Sequence, residues 1–269
     1  MSSVITQLFD FDFMRRAFIA ILIITPLFGM VGTMIVQKKM AYFSDALGNS
    51  ALTGIAIGVI FGISNTSISM VIFAIFFALL LNQISRKGMS SKDTLISVFS
   101  CSATAIGLAI LSRGGSFANY SALLVGDILS ITPREIISLV ALFVVMLVYW
   151  LWAVNRLTAI SIHPTLAKSR SISVHAMEDI FAVLMALLVM LSIKWVGILL
   201  INALLILPAA SSRNISENMR EYAGYSVLFS VFSGLVGLIV SYFTDMATGP
   251  MIVIVASAIY FCTYIYGKK

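Results

Sequence analysis

Residues Glu135 to Val154 read EIISLVALFVVMLVYWLWAV. After Glu135 nothing in this stretch carries a charge, and about 20 such residues form a helix as long as a bilayer's hydrocarbon core is thick, about 30 Å. The same texture recurs at Ala17 to Val36, Ser67 to Leu81, Asp179 to Ile193 and Gly224 to Phe243. Hydrophobic residues make up 60% of the chain and charged residues 10%, where water-soluble domains carry roughly a quarter charged residues. Mean hydropathy is +1.06. The expected fold is all-α: a polytopic integral membrane helix bundle of about eight or nine transmembrane helices with one short reentrant or half-helix segment.

A chain of 269 residues built this way leaves little sequence for a soluble domain, and its longest polar stretch runs from Asn155 to Val174. A single transmembrane domain over residues 1–269 is the economical organisation. The net charge of +6 comes from Lys and Arg at the ends of apolar runs, where they orient helices and do not mark nucleic-acid binding. Placing Lys38/Lys39, Arg86/Lys87, Arg156/Lys168/Arg170, Arg213/Arg220 and Lys268/Lys269 in the cytoplasm puts the N-terminus outside and the C-terminus inside. Lys194 then falls in a tight external turn. Arg15 and Arg16 run against this orientation, although Asp10 and Asp12 sit beside them. The segment from Arg113 to Arg134, with Gly114-Gly115-Ser116, Gly126-Asp127 and Thr132-Pro133, reads as the reentrant piece. Cys101 and Cys262 lie far apart inside apolar runs, so packing is expected of them and a disulfide framework is not. The first apolar run lacks a cleavage pattern and is expected to stay attached as a helix.

Small residues crowd the second run, where Gly54, Gly58 and Gly62 recur at every fourth position. That spacing lets helices approach closely in lipid and fits either a packed pair within the bundle, a dimer contact, or a backbone that moves for function. Acidic residues at membrane depth cost about 2.5 to 3.5 kcal/mol on insertion scales and are therefore candidates for function. Asp45 and Asn49 are one helical turn apart and present oxygen ligands on one face, a plausible cation site. The alternative is that Asp45 caps a helix start or pairs with Lys38 or Lys39. Asp127 and Asp245 stand beside turn residues and are expected to cap helix ends. Asp179 with Glu178 opens an apolar run and suits a helix N-terminus.

The two histidines, His163 and His175, fall in the polar stretch and read as solvated. Fourteen methionines show no Met-x-x-Met recurrence, which leaves a copper pathway unsupported. No Gly-x-x-x-x-Gly-Lys-Ser/Thr phosphate loop occurs, so any dependence on ATP must come through a partner. A Ser/His/Asp or metalloprotease arrangement is absent as well.

Four segments in chain order resemble the membrane permease subunit of the zinc, manganese and iron ATP-binding-cassette importers. Tyr42 to Leu52 (YFSDALGNSAL) is similar to the family's Phe-x-Asp-x-Leu-x-His-Ala/Ser motif, and Gly126 to Pro133 (GDILSITP) to its Gly-Asp-x-Leu-x-x-Thr/Ser motif. Val196 to Ala210 (VGILLINALLILPAA) resembles the family's most specific stretch, and Asp245 to Pro250 (DMATGP) its Asp-x-Pro-x-Gly-Pro. The resemblance implies a permease that dimerises, receives a divalent metal ion as substrate from an extracellular metal-binding protein, and is driven by two cytoplasmic ATPase subunits. It assigns the metal pathway to Asp45 and Asn49, and the ATPase-coupling core to Pro164, Leu166 and Ala167. No cofactor is bound by the chain itself. The implied setting is the bacterial plasma (inner) membrane, as a multi-pass homodimer in lipid, with no nucleic-acid partner and no enzymatic activity of its own.

Three positions depart from the pattern: Asn49 stands where the family has histidine, Ser171 where it has glycine, and Ala247 where it has proline. Losing the imidazole removes the ligand that suits zinc best and leaves a harder amide oxygen, of the kind favoured by manganese, magnesium or calcium. Three rivals stay open: the same architecture importing a substrate other than a transition metal, a transport-inactive membrane scaffold or sensor, and an ion-driven secondary transporter. The last predicts no ATPase and more charge within the membrane than this chain has.

Overall fold

A computed structural model describes residues 12–63, 65–86, 92–113, 126, 128–162 and 173–267. Among these the chain is helical: α1 (Asp12–Gln37), α2 (Ala41–Ile60), α3 (Thr66–Arg86), α4 (Lys92–Arg113), α5 (Pro133–Ile162), α6 (Val174–Val196), α7 (Ile198–Ile215), α8 (Met219–Thr244) and α9 (Thr248–Tyr266), with a 3-10 turn at Ile128–Ser130. All nine of these helices are long and apolar enough to cross a membrane, which meets the expected all-α membrane bundle, while most of the expected reentrant segment between Arg113 and Arg134 lies outside the described residues. They outrun the apolar runs that announced them: Glu135 to Val154 lies inside the 30 residues of α5, because lipid leaves backbone groups no other partner and hydrogen bonding continues into the polar flanks.

The helices form two compact units. The first comprises residues 1–36, 125–151 and 195–269, and in it α7, α8 and α9 pack on one another. Its α1 is bound to α8 by hydroxyls that donate to backbone carbonyls. Ser226 Oγ reaches the Gly29 carbonyl at 2.7 Å, Ser230 Oγ the Thr25 carbonyl at 2.6 Å, and the Tyr222 hydroxyl the Thr33 carbonyl at 3.3 Å. Pro26 lies inside α1, where it removes the N–H that would bond the Leu22 carbonyl and loosens the turn before it. Two hydroxyls serve that turn, Ser230 on Thr25 and Thr25 itself on the Ile21 carbonyl at 2.7 Å. Small residues let the backbones come this close: a Cβ on Gly32 would lie 2.3 Å from the Leu205 carbonyl oxygen of α7. Apolar side chains gain nothing by leaving lipid for protein, so close van der Waals contact and these hydrogen bonds hold the unit together.

The second unit comprises residues 37–124 and 152–194. Here α2 packs against both α3 and α4. Gly54 faces the Met70 backbone and Gly58 faces Ser69, each at distances a Cβ would reduce to 2.9 Å or less. Thr53 donates to the Ala103 carbonyl, with Gly107 opposite it on α4. The glycine stripe is thus a contact within one chain, and Gly54 and Gly58 are occupied by α3. Gly62 belongs to a different feature: its φ is +66° with nothing within 4 Å of a Cβ, and it turns the chain after α2.

The cysteines do not fill the packing role expected from their apolar surroundings, since Cys101 and Cys262 are both exposed. Asp245 does stand at a helix end. It is the C-cap of α8 at φ 53°, its N–H bonded to the Ser241 carbonyl, while the Ser241 hydroxyl donates to the Met246 carbonyl at 2.6 Å.

Candidate metal pathway and its surroundings

Asp45 and Asn49 lie in the first half of α2, which at 1.5 Å per residue puts them about 6 and 12 Å from its start. The helix delivers what the spacing requires. Asn49 Nδ2 donates to Asp45 Oδ2 at 3.1 Å, so the two side chains share one face. Asp45 is exposed and Asn49 half-buried, while Ser44, Ala46, Leu47 and Gly48 around them are buried. The bond found here is an amide N–H on a carboxylate. Turning the Asn49 amide by half a turn presents its oxygen beside the carboxylate, and the pair becomes a two-oxygen face for a cation.

Two ligands do not complete a coordination sphere, which for zinc takes four and for harder divalent ions six or more. Among the described residues no group of three or more His, Cys, Asp or Glu side chains converges. The pair suits an ion in passage that keeps part of its water, and does not suit a resident structural metal. Of the other sequence candidates, His175 is exposed, and Asp127, His163, Pro164, Leu166 and Ala167 lie outside the described residues.

The remaining three motif segments meet elsewhere, in the first unit. A cavity of about 240 Å³ is lined by Gly126 and Leu129 from one segment, Val196 and Leu200 from the second, and Met246 and Gly249 from the third. Gly126 makes this possible. At φ 72° it lies so near the α6–α7 joint that a Cβ would stand 2.3 Å from Gly197 N and 2.4 Å from the Val196 carbonyl carbon. Gly197, at φ 80°, is the single residue between α6 and α7. The segments were separate signals in the sequence; in the fold they are one joint.

A polar cluster that sequence reasoning missed lies in the second unit. Asp179 is not at the α6 N-terminus but in the second turn of a helix that begins at Val174, and it faces α3. Arg86 holds its carboxylate with both terminal nitrogens, at 2.7 and 3.3 Å, and Asn82 Nδ2 donates to Oδ1 at 2.6 Å. Glu178 lies 3.8 Å from Arg86 Nε and 4.0 Å from Lys38 Nζ. Asn82 and Arg86, one turn apart at a basic helix end, were the available signal; their partner lies more than 90 residues away.

The profile of the ABC 3 transport family matches residues 10–267. This chain belongs to the ABC 3 transport family. Among similar members is the high-affinity zinc uptake system membrane protein ZnuB of Haemophilus influenzae, 29% identical over 93% of this chain and 96% of that protein. The manganese transport system membrane protein MntC of Listeria monocytogenes is 26% identical over 97% of this chain and 93% of that protein. The fold of the ABC 3 chain is shared with the solved structure of PsaBC from Streptococcus pneumoniae in complex with Fab. The TM-score is 0.85 at 24% identity, over 98% of this chain and 95% of that one. An ABC 3 family member is a transport component, a multi-pass membrane permease, and works with ATPase and substrate-binding partners.

Proposed function

We propose that this chain is the permease of an ATP-binding-cassette importer that carries a divalent transition-metal ion, manganese, zinc or iron, into the cytoplasm of a bacterium. The observation that carries the reading is the Asp45–Asn49 pair, hydrogen-bonded on one face of a membrane helix in a chain whose relatives are zinc and manganese uptake proteins. An acidic side chain on a membrane-spanning helix has a cost that a passing cation offsets. Asp45 supplies the charge that lets the ion shed water, and Asn49 a neutral oxygen that does not trap it. The whole chain works as one permease domain in the inner membrane, paired with a second copy.

ATP hydrolysis resides in separate cytoplasmic subunits, which grip the polar segment between α5 and α6. Two adjacent apolar members, Leu166 and Ala167, stand among basic and polar neighbours, the pattern of a short element held by a partner. Exchanging both for glutamate abolishes co-purification of the ATPase while the permease still inserts in the membrane. Retention of the ATPase at the parent's level refutes the docking assignment.

Selectivity provides a second test. With an amide in place of imidazole, the pair favours a harder ion than zinc. Asn49→His shifts the zinc-to-manganese uptake ratio toward zinc by about tenfold, the equivalent of about 1.4 kcal/mol. Competition uptake in cells lacking their own importers measures it, and an unchanged ratio removes Asn49 from the pathway.

A further inference from the structure

We propose that Arg86 is the positioning residue that carries movement of the ATPase-docking segment into α3, by clamping the first two turns of α6; this rests on the docking assignment above. Among the described residues, every partner of its guanidinium lies on α6. It donates to Asp179 through both terminal nitrogens, at 2.7 and 3.3 Å, and to the His175 carbonyl at 3.0 Å, while Glu178 stands 3.8 Å from Nε. His175, Glu178 and Asp179 recur three and four residues apart and so share one face of the helix. A two-pronged guanidinium–carboxylate contact fixes direction as well as distance, and the added bond to a backbone carbonyl ties it to the helix frame. Asn82, one turn earlier on α3, holds the same carboxylate at 2.6 Å.

The helix ends suit this joint. Arg86 closes the last turn of α3, where the dipole favours a cation, and Glu178 and Asp179 meet it from the second turn of α6. Lys38, just after α1, adds a second tie to the same α6 face, through Glu178 at 4.0 Å and the Phe181 ring at 5.3 Å. A pull arriving at the start of α6 therefore reaches α3 through an ionic joint.

The test uses the assembled permease and ATPase in vesicles, reading manganese uptake per ATP hydrolysed. That ratio does not depend on how much folded complex each preparation contains. Arg86→Gln and, separately, Asp179→Asn each lower it about tenfold with the ATPase still bound. Exchanging the two charges, Arg86→Asp with Asp179→Arg, restores part of it. An unchanged ratio in both single variants overturns the proposal, as does loss of the ATPase from Arg86→Gln, which would make Arg86 part of the docking surface itself. Failure of the docking assignment shows differently, as an ATPase that stays bound to the Leu166/Ala167 variant.

Discussion

Asp45→Asn lowers divalent-cation uptake by about 100-fold or more while leaving the amount of folded permease unchanged. The substitution keeps the side chain's volume and its capacity to pair with Asn49, whose amide now meets another amide in place of a carboxylate. Charge alone is lost. Two unit charges 4 Å apart attract by about 4 kcal/mol at an effective dielectric of about 20, and a divalent ion doubles the attraction before dehydration offsets part of it. A net loss of about 3 kcal/mol corresponds to about 100-fold. Uptake of radioactive manganese or zinc, normalised to permease measured in isolated membranes, checks it. Parent-level uptake by Asp45→Asn removes Asp45 from the pathway, and a collapse in abundance assigns it to stability.

Gly126→Ala produces a large loss of stability for a single added methyl group. Two costs add at this position. The φ of 72° disfavours any residue with a Cβ by about 1 to 2 kcal/mol, and the methyl group meets the Val196 and Gly197 backbone at 2.4 Å or less, an overpacking worth a further 1 to 3 kcal/mol or so. Gly62→Ala is the control. Its φ is also positive, +66°, but a Cβ there meets nothing within 4 Å, so only the backbone cost of about 1 to 2 kcal/mol applies. Thermal unfolding of the purified variants in detergent should place Gly126→Ala far below the parent and Gly62→Ala only slightly below it. Equal losses from the two would mean that the contact with the α6–α7 joint contributes nothing.

The difference between these glycines marks how far the sequence could be read. Gly54, Gly58 and Gly62 share one spacing, and spacing reports which residues lie on a common face only as long as the helix continues. α2 ends at Ile60, so Gly54 and Gly58 pack on α3 and Gly62 becomes a turn. The spans themselves were legible, because a bilayer demands runs of apolar residues of nearly fixed length. So was the Asp45–Asn49 pair, since a one-turn spacing is local. Contacts between distant parts of the chain were not. Asn82, Arg86 and Asp179 each look like ordinary residues near a helix end, and only folding brings a carboxylate 93 residues away onto the Arg86 guanidinium. Likewise, the segments beginning at Gly126, Val196 and Asp245 were three separate resemblances until the fold joined them around one cavity.

The most direct test of the central claim is metal uptake into sealed vesicles that contain the purified permease and its ATPase. The substrate is radioactive manganese or zinc, presented by the partner metal-binding protein, with ATP enclosed in the vesicles on the side the ATPase faces. The predicted result is accumulation that requires ATP and the ATPase and is abolished by Asp45→Asn. Accumulation that proceeds without ATPase, or no ATP-dependent accumulation of any divalent cation by the assembled complex, would contradict it.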